Sequence, residues 1–303
     1  MLFDTSNIII DRPETGFSRK AGLSISVLRL DKIHPVVSGN KLFKLHYFLE
    51  QARSGNYKRI ITFGGAYSNH LLATAFACST EGYESIGIVS GNEPDRLSHT
   101  LQRAMAYGMQ LKFISREMYT QKDDLRILSK LFPGYEECFV IPEGGYHPIG
   151  AKGAALILDT VKKEDYSHIC TATGTATTLA GLLLAARHDQ SVIGIPVLKG
   201  LTDLTERIAY LTGKPSTEKR LRILEGSHFG GYAKRTSDLI RFMNDCWLQF
   251  RLPLDFVYTA KMLHGVFNAA ATGQFESGSN ILCLHTGGLQ GNDSLPAGSL
   301  CFR

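Results

Sequence analysis

The sequence predicts an α/β protein with largely parallel sheets. Two observations carry this. Short apolar runs and helix-period segments alternate through most of the 303 residues, the pattern of strands joined by crossover helices. Gly, Ser, Thr and Asn then gather just past the ends of the strand-like runs, where open parallel sheets bind ligands. Two domains meeting at a cleft are expected, a large one from residues 1–43 and 152–303 and a smaller inserted one from 44–151.

Leu23 to Leu30 alternates like a half-buried strand and leads through His34-Pro35 into the turn Ser38-Gly39-Asn40-Lys41. Leu42, Leu45, Phe48 and Leu49 recur at helical spacing behind it, with Asn40 as the expected N-cap and Gly55 as a stop. Arg59 to Phe63 reads as a strand ending in Gly64-Gly65-Ala66-Tyr67-Ser68-Asn69-His70, with a helix from about Leu71 to Ser79. Ser85 to Val89 is the next strand, Leu101 to Tyr107 a helix stopped by Gly108, and Leu111 to Ile114 another strand. A surface helix is expected over residues 122–130, then a strand from Phe139 to Ile141 broken by Pro142-Glu143-Gly144-Gly145. A helix over 149–161 precedes a strand at His168 to Ala172. That strand opens onto Thr173-Gly174-Thr175-Ala176-Thr177-Thr178 and a helix from Leu179 to Ala186. Strands at Val192 to Val197 and Ile281 to His285, and a helix near Thr236 to Phe250, complete the pattern.

Composition narrows the function. A hydrophobic content of 44% and charged content of 20% are those of an ordinary soluble domain. No long uncharged apolar run is present, so no membrane span is expected, and Met1-Leu2-Phe3-Asp4 lacks the blocks of a signal peptide, which points to the cytoplasm. The net charge of +5 is not gathered into a basic tract, which disfavours nucleic acid as a partner. Six cysteines form no CxxC pair and ten histidines show no HxxxH or HxH spacing, so no protein-held metal is expected.

Several stretches suit chemistry. A lysine in the first turn of a helix faces the positive end of the dipole, which suits an amine that must spend time neutral and bond to a carbonyl; a solvated surface lysine is the bland alternative. Residues Gly174 to Gly181 have the makings of a phosphate cradle, since small residues let backbone amides approach an anion at a helix start; a ligand-free turn competes evenly. The cradle lacks a Walker ending, and the next strand carries no acid for a dinucleotide ribose. Ser68, Asn69 and His70 could hold a carboxylate, with Ser68 a proton-transfer candidate, or could simply cap a helix. Tyr232 and Tyr258 are candidate proton donors or stacking walls, and Thr286 could bond a ligand or cap a turn.

Taken in order, these stretches resemble the pyridoxal-phosphate enzymes of the tryptophan-synthase β-subunit fold type (type II). Within them the chain is similar to the 1-aminocyclopropane-1-carboxylate deaminase and D-cysteine desulfhydrase family. Arg29-Leu30-Asp31, Ser38 to Leu45, Gly65 to His70, Pro142 to Gly145, Gly174 to Gly181, Leu254 to Lys261 and His285 to Gly288 carry the resemblance. It implies a two-domain fold with twisted parallel-rich sheets flanked by helices, a pyridoxal 5'-phosphate cofactor, a small amino-acid substrate and a homodimer. Lys41 would bond the cofactor covalently and Asn69 its ring hydroxyl, while Gly174, Thr175, Ala176, Thr177 and Thr178 would hold its phosphate. Ser68 would meet the substrate carboxylate or assist proton transfer, Tyr258 and Tyr232 would stand near the substrate, and Thr286 or Thr259 near the pyridine nitrogen.

The phosphate loop departs from the family's usual Gly-Ser-Gly-Gly-Thr style, and Gly144-Gly145-Tyr146-His147-Pro148 replaces a Gly-Gly-Ser-Asn-Pro-like stretch. Deaminases of the cyclopropane amino acid typically carry Glu where this chain has Thr259 and Leu where it has Thr286. A neutral hydroxyl gives a milder electron sink, adequate for expelling a good leaving group. The resemblance therefore implies α,β-elimination from a small β-substituted amino acid, with D-cysteine foremost, giving pyruvate, ammonia and sulfide. The alternatives are the deaminase itself, a neighbouring pyridoxal-phosphate racemase or eliminase, or a non-enzymatic nucleotide-binding α/β protein.

Overall fold

A computed structural model describes residues 4–34, 39–124, 126, 128, 129, 132, 134–161, 164–215 and 219–302. Two sheets organise the chain. The larger combines β1 (Ile10–Asp11), β2 (Ser24–Arg29), β7 (His168–Thr173), β8 (Ser191–Pro196), β9 (Leu221–Ile223) and β10 (Asn280–His285) in the order β1-β2-β10-β7-β8-β9. Its strands pair in parallel except at the two-residue edge β1. The smaller sheet, β5-β4-β3-β6, is parallel throughout and uses β3 (Arg59–Gly64), β4 (Glu84–Ser90), β5 (Gln110–Ile114) and β6 (Cys138–Ile141). The expected strands are all present within a residue or two. The fold is that α/β, parallel-rich arrangement, with strand ends aligned so that the loops after β3, β6, β7 and β10 open toward one cavity.

Side-chain alternation sorts the core. In β10, Leu282 and Leu284 join one cluster while Ile281 and Cys283 join another; in β3, Ile60 faces the first while Ile61 and Phe63 face a third. The first cluster joins a face of each sheet through the helices α2 (Asn40–Ser54), α3 (Asn69–Glu81), α6 (Pro148–Ala155) and α7 (Thr177–Ala185). Close approach there needs small residues. A Cβ on Gly153 would collide with the Phe43 carbonyl, and one on Gly181 with the Ala151 carbonyl.

Several helices carried no readable signal in the sequence. They are α1 (Gly16–Ala21), α5 (Arg116–Tyr119), α8 (Leu204–Thr212) and α10 (Thr259–Ala271), beside the expected α4 (His99–Ala106) and α9 (Ser237–Phe250). α10 is buried along most of its length; in its stripe of Lys261, His264 and Asn268, Lys261 is buried and His264 half-buried, so the stripe is not a solvent face. The helix expected over 149–161 divides into α6 and a 3₁₀ segment, Leu156–Val161. The one expected over 122–130 falls partly outside the described residues, as does Ser38.

A buried polar chain runs beneath the cavity floor. Arg29 donates through Nε and Nη2 to both oxygens of Asp31, at 2.7 and 2.6 Å, and through Nη1 to Asp11 at 2.5 Å. Asp31 lies 3.2 Å from His285 Nδ1, and His285 Nε2 donates to the Pro253 carbonyl at 2.8 Å. Burial alone would raise the Asp31 carboxyl, but neighbouring His285 and Arg29 outweigh it and hold it below its ordinary value.

Candidate active site

The cavity, about 550 Å³, gathers Lys41, Ser68, Asn69, His70, Gly174 to Thr178, Tyr232, Tyr258 and Thr286 from both sheets. Of the residues singled out in the sequence only Thr259 is missing from its walls. Thr259 is fully buried, and its hydroxyl donates to Asp255 Oδ2 at 2.6 Å. The carboxylate behind it, Asp255, lines the cavity instead.

Lys41 is the second residue of α2. The helix is entered through Gly39, at φ 93°, and not capped by Asn40. Asn40 is the first helical residue; its amide donates to Thr178 Oγ1 at 2.6 Å and its Oδ1 accepts from Lys41 Nζ at 3.2 Å. This side chain, unsuited to capping here, thus ties the amine to the start of α7. Desolvation lowers the Lys41 pKa from 10.5 to about 8, with Asp255 pulling the other way. One turn on, Lys44 is buried, donates to the Gly144 carbonyl at 3.1 Å and is lowered well below its ordinary value by burial and by Lys41. Its position in the wall was not read from the sequence; three-residue spacing from Lys41 on one helix is the signal that placed it there.

The loop after β7 has the form of an anion cradle. Ala176 adopts the left-handed conformation (φ 67°) and α7 starts at Thr177 with no side-chain cap. The Ala180 N–H donates to the Ala176 carbonyl at 2.9 Å, so the amides of Thr177 to Leu179, at the start of the helix, are left toward the loop. The Thr175 and Thr177 hydroxyls lie 3.0 Å apart. Thr178 Oγ1 accepts from Asn40 and keeps its own proton to donate.

Across the cavity, Ser68 caps α3 by accepting from Leu71 N–H at 3.3 Å, so its structural role is real while it also lines the site. Asn69 accepts from Gln290 Nε2. His70 is buried and its Nε2 meets Thr62 Oγ1 at 2.9 Å. Thr62 donates to the Ile141 carbonyl, so it must accept from His70, which fixes the Nε2–H tautomer. Nδ1 makes no close hydrogen bond, and the Pro142 carbonyl lies near enough to the ring to favour its protonated form. Burial, then Lys41 and Lys44, lower the His70 pKa to about 3. His70 is thus neutral at neutral pH and not an acid.

Tyr258 and Tyr232 meet hydroxyl to hydroxyl at 3.3 Å, their rings edge-on at 6.0 Å. Burial and Tyr232 raise Tyr258 well above its ordinary value, so it holds its proton. The Tyr232 loop is anchored by buried Lys261, which donates to the Gly231 carbonyl at 2.6 Å. Thr286 and Gly288 follow the end of β10, and a Cβ on Gly288 would press on Asn69 and Asp255. Tyr146 and His147, where the sequence departs from its relatives' pattern, stay out of the walls; His147 caps α6 and Tyr146 packs on Tyr210.

Groups of His, Cys, Asp and Glu arranged to hold a metal are absent among the described residues, and no described helix is long and apolar enough to cross a membrane. The walls do fit a phosphorylated aldehyde: an amine neutral in part near pH 8, an amide cradle for a dianion, and polar side chains between them.

Comparison with known proteins agrees. A protein of Pyrococcus horikoshii, provisionally named a 1-aminocyclopropane-1-carboxylate deaminase, is 30% identical over 294 residues, covering 90% of this chain and 87% of that protein. The mitochondrial bifunctional D-cysteine desulfhydrase/1-aminocyclopropane-1-carboxylate deaminase of Arabidopsis thaliana is 24% identical, covering 89% and 73%. A solved structure described as an ACC deaminase homologue superposes with a TM-score of 0.80 at 28% identity, over 96% of this chain and 92% of that one. The family model for the pyridoxal-phosphate dependent enzymes matches residues 13–287. By that match, which spans most of its length, the chain belongs to the pyridoxal-phosphate dependent enzyme family.

Proposed function

We propose that the protein is a lyase that eliminates the β-substituent of a small amino acid, with D-cysteine as the favoured substrate. The observation that carries this reading is the state of the two groups able to face a pyridine nitrogen. The Asp255 carboxylate accepts from the Val257, Tyr258 and Thr259 amides and from the Thr259 hydroxyl, all within 2.6 to 2.9 Å. Its lone pairs are used. Thr286 remains as the neutral hydroxyl in the wall, which suits expulsion of a good leaving group over a difficult ring opening.

Bound pyridoxal phosphate would supply an electron sink for negative charge at the substrate Cα. Lys41 would hold the cofactor, the 174–178 loop and Lys44 its phosphate, and Asn69 its ring edge. The protein's own part is then proton handling and orientation. Ser68 and the α3 start receive the substrate carboxylate. The Lys41 amine, with its lowered pKa, accepts the α-proton. As the Cβ–S bond breaks, its electron pair goes to sulfur, and the Tyr258–Tyr232 hydroxyl pair, kept protonated at Tyr258, donates toward the departing thiolate. Water then converts the unsaturated amine to pyruvate and ammonium.

The test is sulfide and pyruvate release from D-cysteine, with L-cysteine and 1-aminocyclopropane-1-carboxylate beside it. Sulfide from the D-isomer is the expected result. A 2-oxo acid from the cyclopropane substrate alone would overturn the reading in favour of the deaminase named among the relatives.

A further inference from the structure

Two cavity groups have no task in the reaction above. Tyr119, at the end of α5, is 9% exposed; it lines the cavity, and its buried hydroxyl makes no close hydrogen bond, with the Glu143 carboxylate as an acceptor within reach. A buried hydroxyl held loosely by one acceptor gains from a ligand that completes its bonding. Glu143, just past the carboxyl end of β6, also lines the cavity. Its described ion pair is to Lys122 Nζ at 3.4 Å, an ammonium it shares with Asp123 at 4.0 Å. Lys122 in turn sits 5.1 Å over the Tyr119 ring. Among the described residues, Glu143 and Asp255 are the carboxylates in the wall, and Asp255 is saturated by four donors. Glu143 therefore has the spare acceptor capacity. Tyr119 lies close enough to Glu143 and to Tyr232 for each to act on its ionisation, so all three border one region. Both Tyr119 and Glu143 come from the smaller sheet, facing the Tyr232–Tyr258 pair of the larger.

We propose that Tyr119 and Glu143 form a distal substrate subsite that accepts a hydrogen-bond-donating cation, a primary ammonium, at the far end of the substrate's β-substituent. The inference rests on the elimination reading and deepens it: the substrate class becomes β-substituted amino acids whose departing group carries an amine. Cysteine itself, with a bare thiol, would bring no donor to the Tyr119 oxygen or to Glu143. An ammonium donates to a carboxylate oxygen not used by Lys122 and to the Tyr119 oxygen, while the tyrosine proton turns to Glu143. The chemistry is unchanged: the α-proton goes to the protein, the Cβ–S bond breaks toward sulfur, and the thiol that leaves carries the amine.

The test compares S-(2-aminoethyl)cysteine with its near-isostere S-propylcysteine, each in D and L form. Dissociation constants are measured calorimetrically on the pyridoxal-phosphate-loaded Lys41→Ala protein, where turnover does not interfere. The amine should bind about tenfold more tightly than the propyl compound, and adding Glu143→Gln should shrink the preference to about twofold or less; Tyr119→Phe should narrow it. Equal binding of the two compounds, or a preference that survives Glu143→Gln, overturns the subsite. Pyruvate release by the unmodified enzyme is read separately. Its absence with every compound would sink the elimination reading, while the ratio of dissociation constants still decides the subsite.

Discussion

Lys41 is placed where its charge is unwelcome, and this has measurable consequences at the scale of one residue. Its folded pKa lies near 8 against 10.5 ordinarily, so the unfolded chain binds the extra proton between those values. Stability is therefore expected to rise with pH across that window, the sign required when the unfolded state holds more protons. The same depression sets cofactor capture. Stopped-flow absorbance of apo-protein mixed with pyridoxal phosphate should show a capture rate that climbs with pH and levels off above about 8; a climb continuing toward 10.5 would mean an ordinary lysine. Lys41→Ala should remove the lysine-bound absorbance band and at the same time stabilise the apo-protein at pH 7 by about 1 kcal/mol, because a desolvated cation is gone. A melting temperature that falls instead would show the amine to be structurally useful.

At the scale of elements, the site depends on how closely α2 and the end of β10 approach. Gly39 has φ 93°, and a Cβ there would collide with the Thr286 carbonyl, whose oxygen also accepts from the Asn40 amide at 3.3 Å. Gly39→Ala should cost roughly 2–4 kcal/mol from combined backbone strain and overlap. It should also displace Lys41 and Thr286 together, so that cofactor affinity falls with stability. Denaturant melts and cofactor titration of the variant check this; a stable variant with normal cofactor binding would show that the approach is not critical. The sequence displayed this glycine, its lysine and the glycine-rich strand ends, because turns and strand alternation are local signals. It did not display α10, most of which is buried, nor that Thr259 would turn its hydroxyl to Asp255 and away from the cavity. Glu143 stood in a stretch that carried the resemblance, but its pairing with Tyr119 was invisible for a different reason: it comes only from sharing a cavity wall.

Across the whole molecule, the first hydrophobic cluster binds Leu28, Leu282 and Leu284 of the larger sheet to Ile60, Val89 and Ile141 of the smaller through four intervening helices. Separate unfolding of the sheets would expose that shared surface. A single denaturant transition is expected, coincident by far-ultraviolet circular dichroism and by tryptophan emission from Trp247 on α9. Two resolved transitions would mean that each sheet carries an independent core. The sharing also explains why a cleft between sheets was easy to foresee from strand-end composition while the cohesion across it was not. Burial between helices depends on approaches such as Gly181 against Ala151, which no linear pattern reports.

The smallest strand reaches furthest. β1 is two residues long at the sheet edge, yet Asp11 within it holds Arg29, Arg29 holds Asp31, and Asp31 meets His285, the residue before Thr286. Asp11 thus serves as a remote guy-rope for the cavity floor: trimming or retagging the amino-terminal arm, an edit usually considered harmless, pulls on the turn that sets Thr286 in the cavity wall.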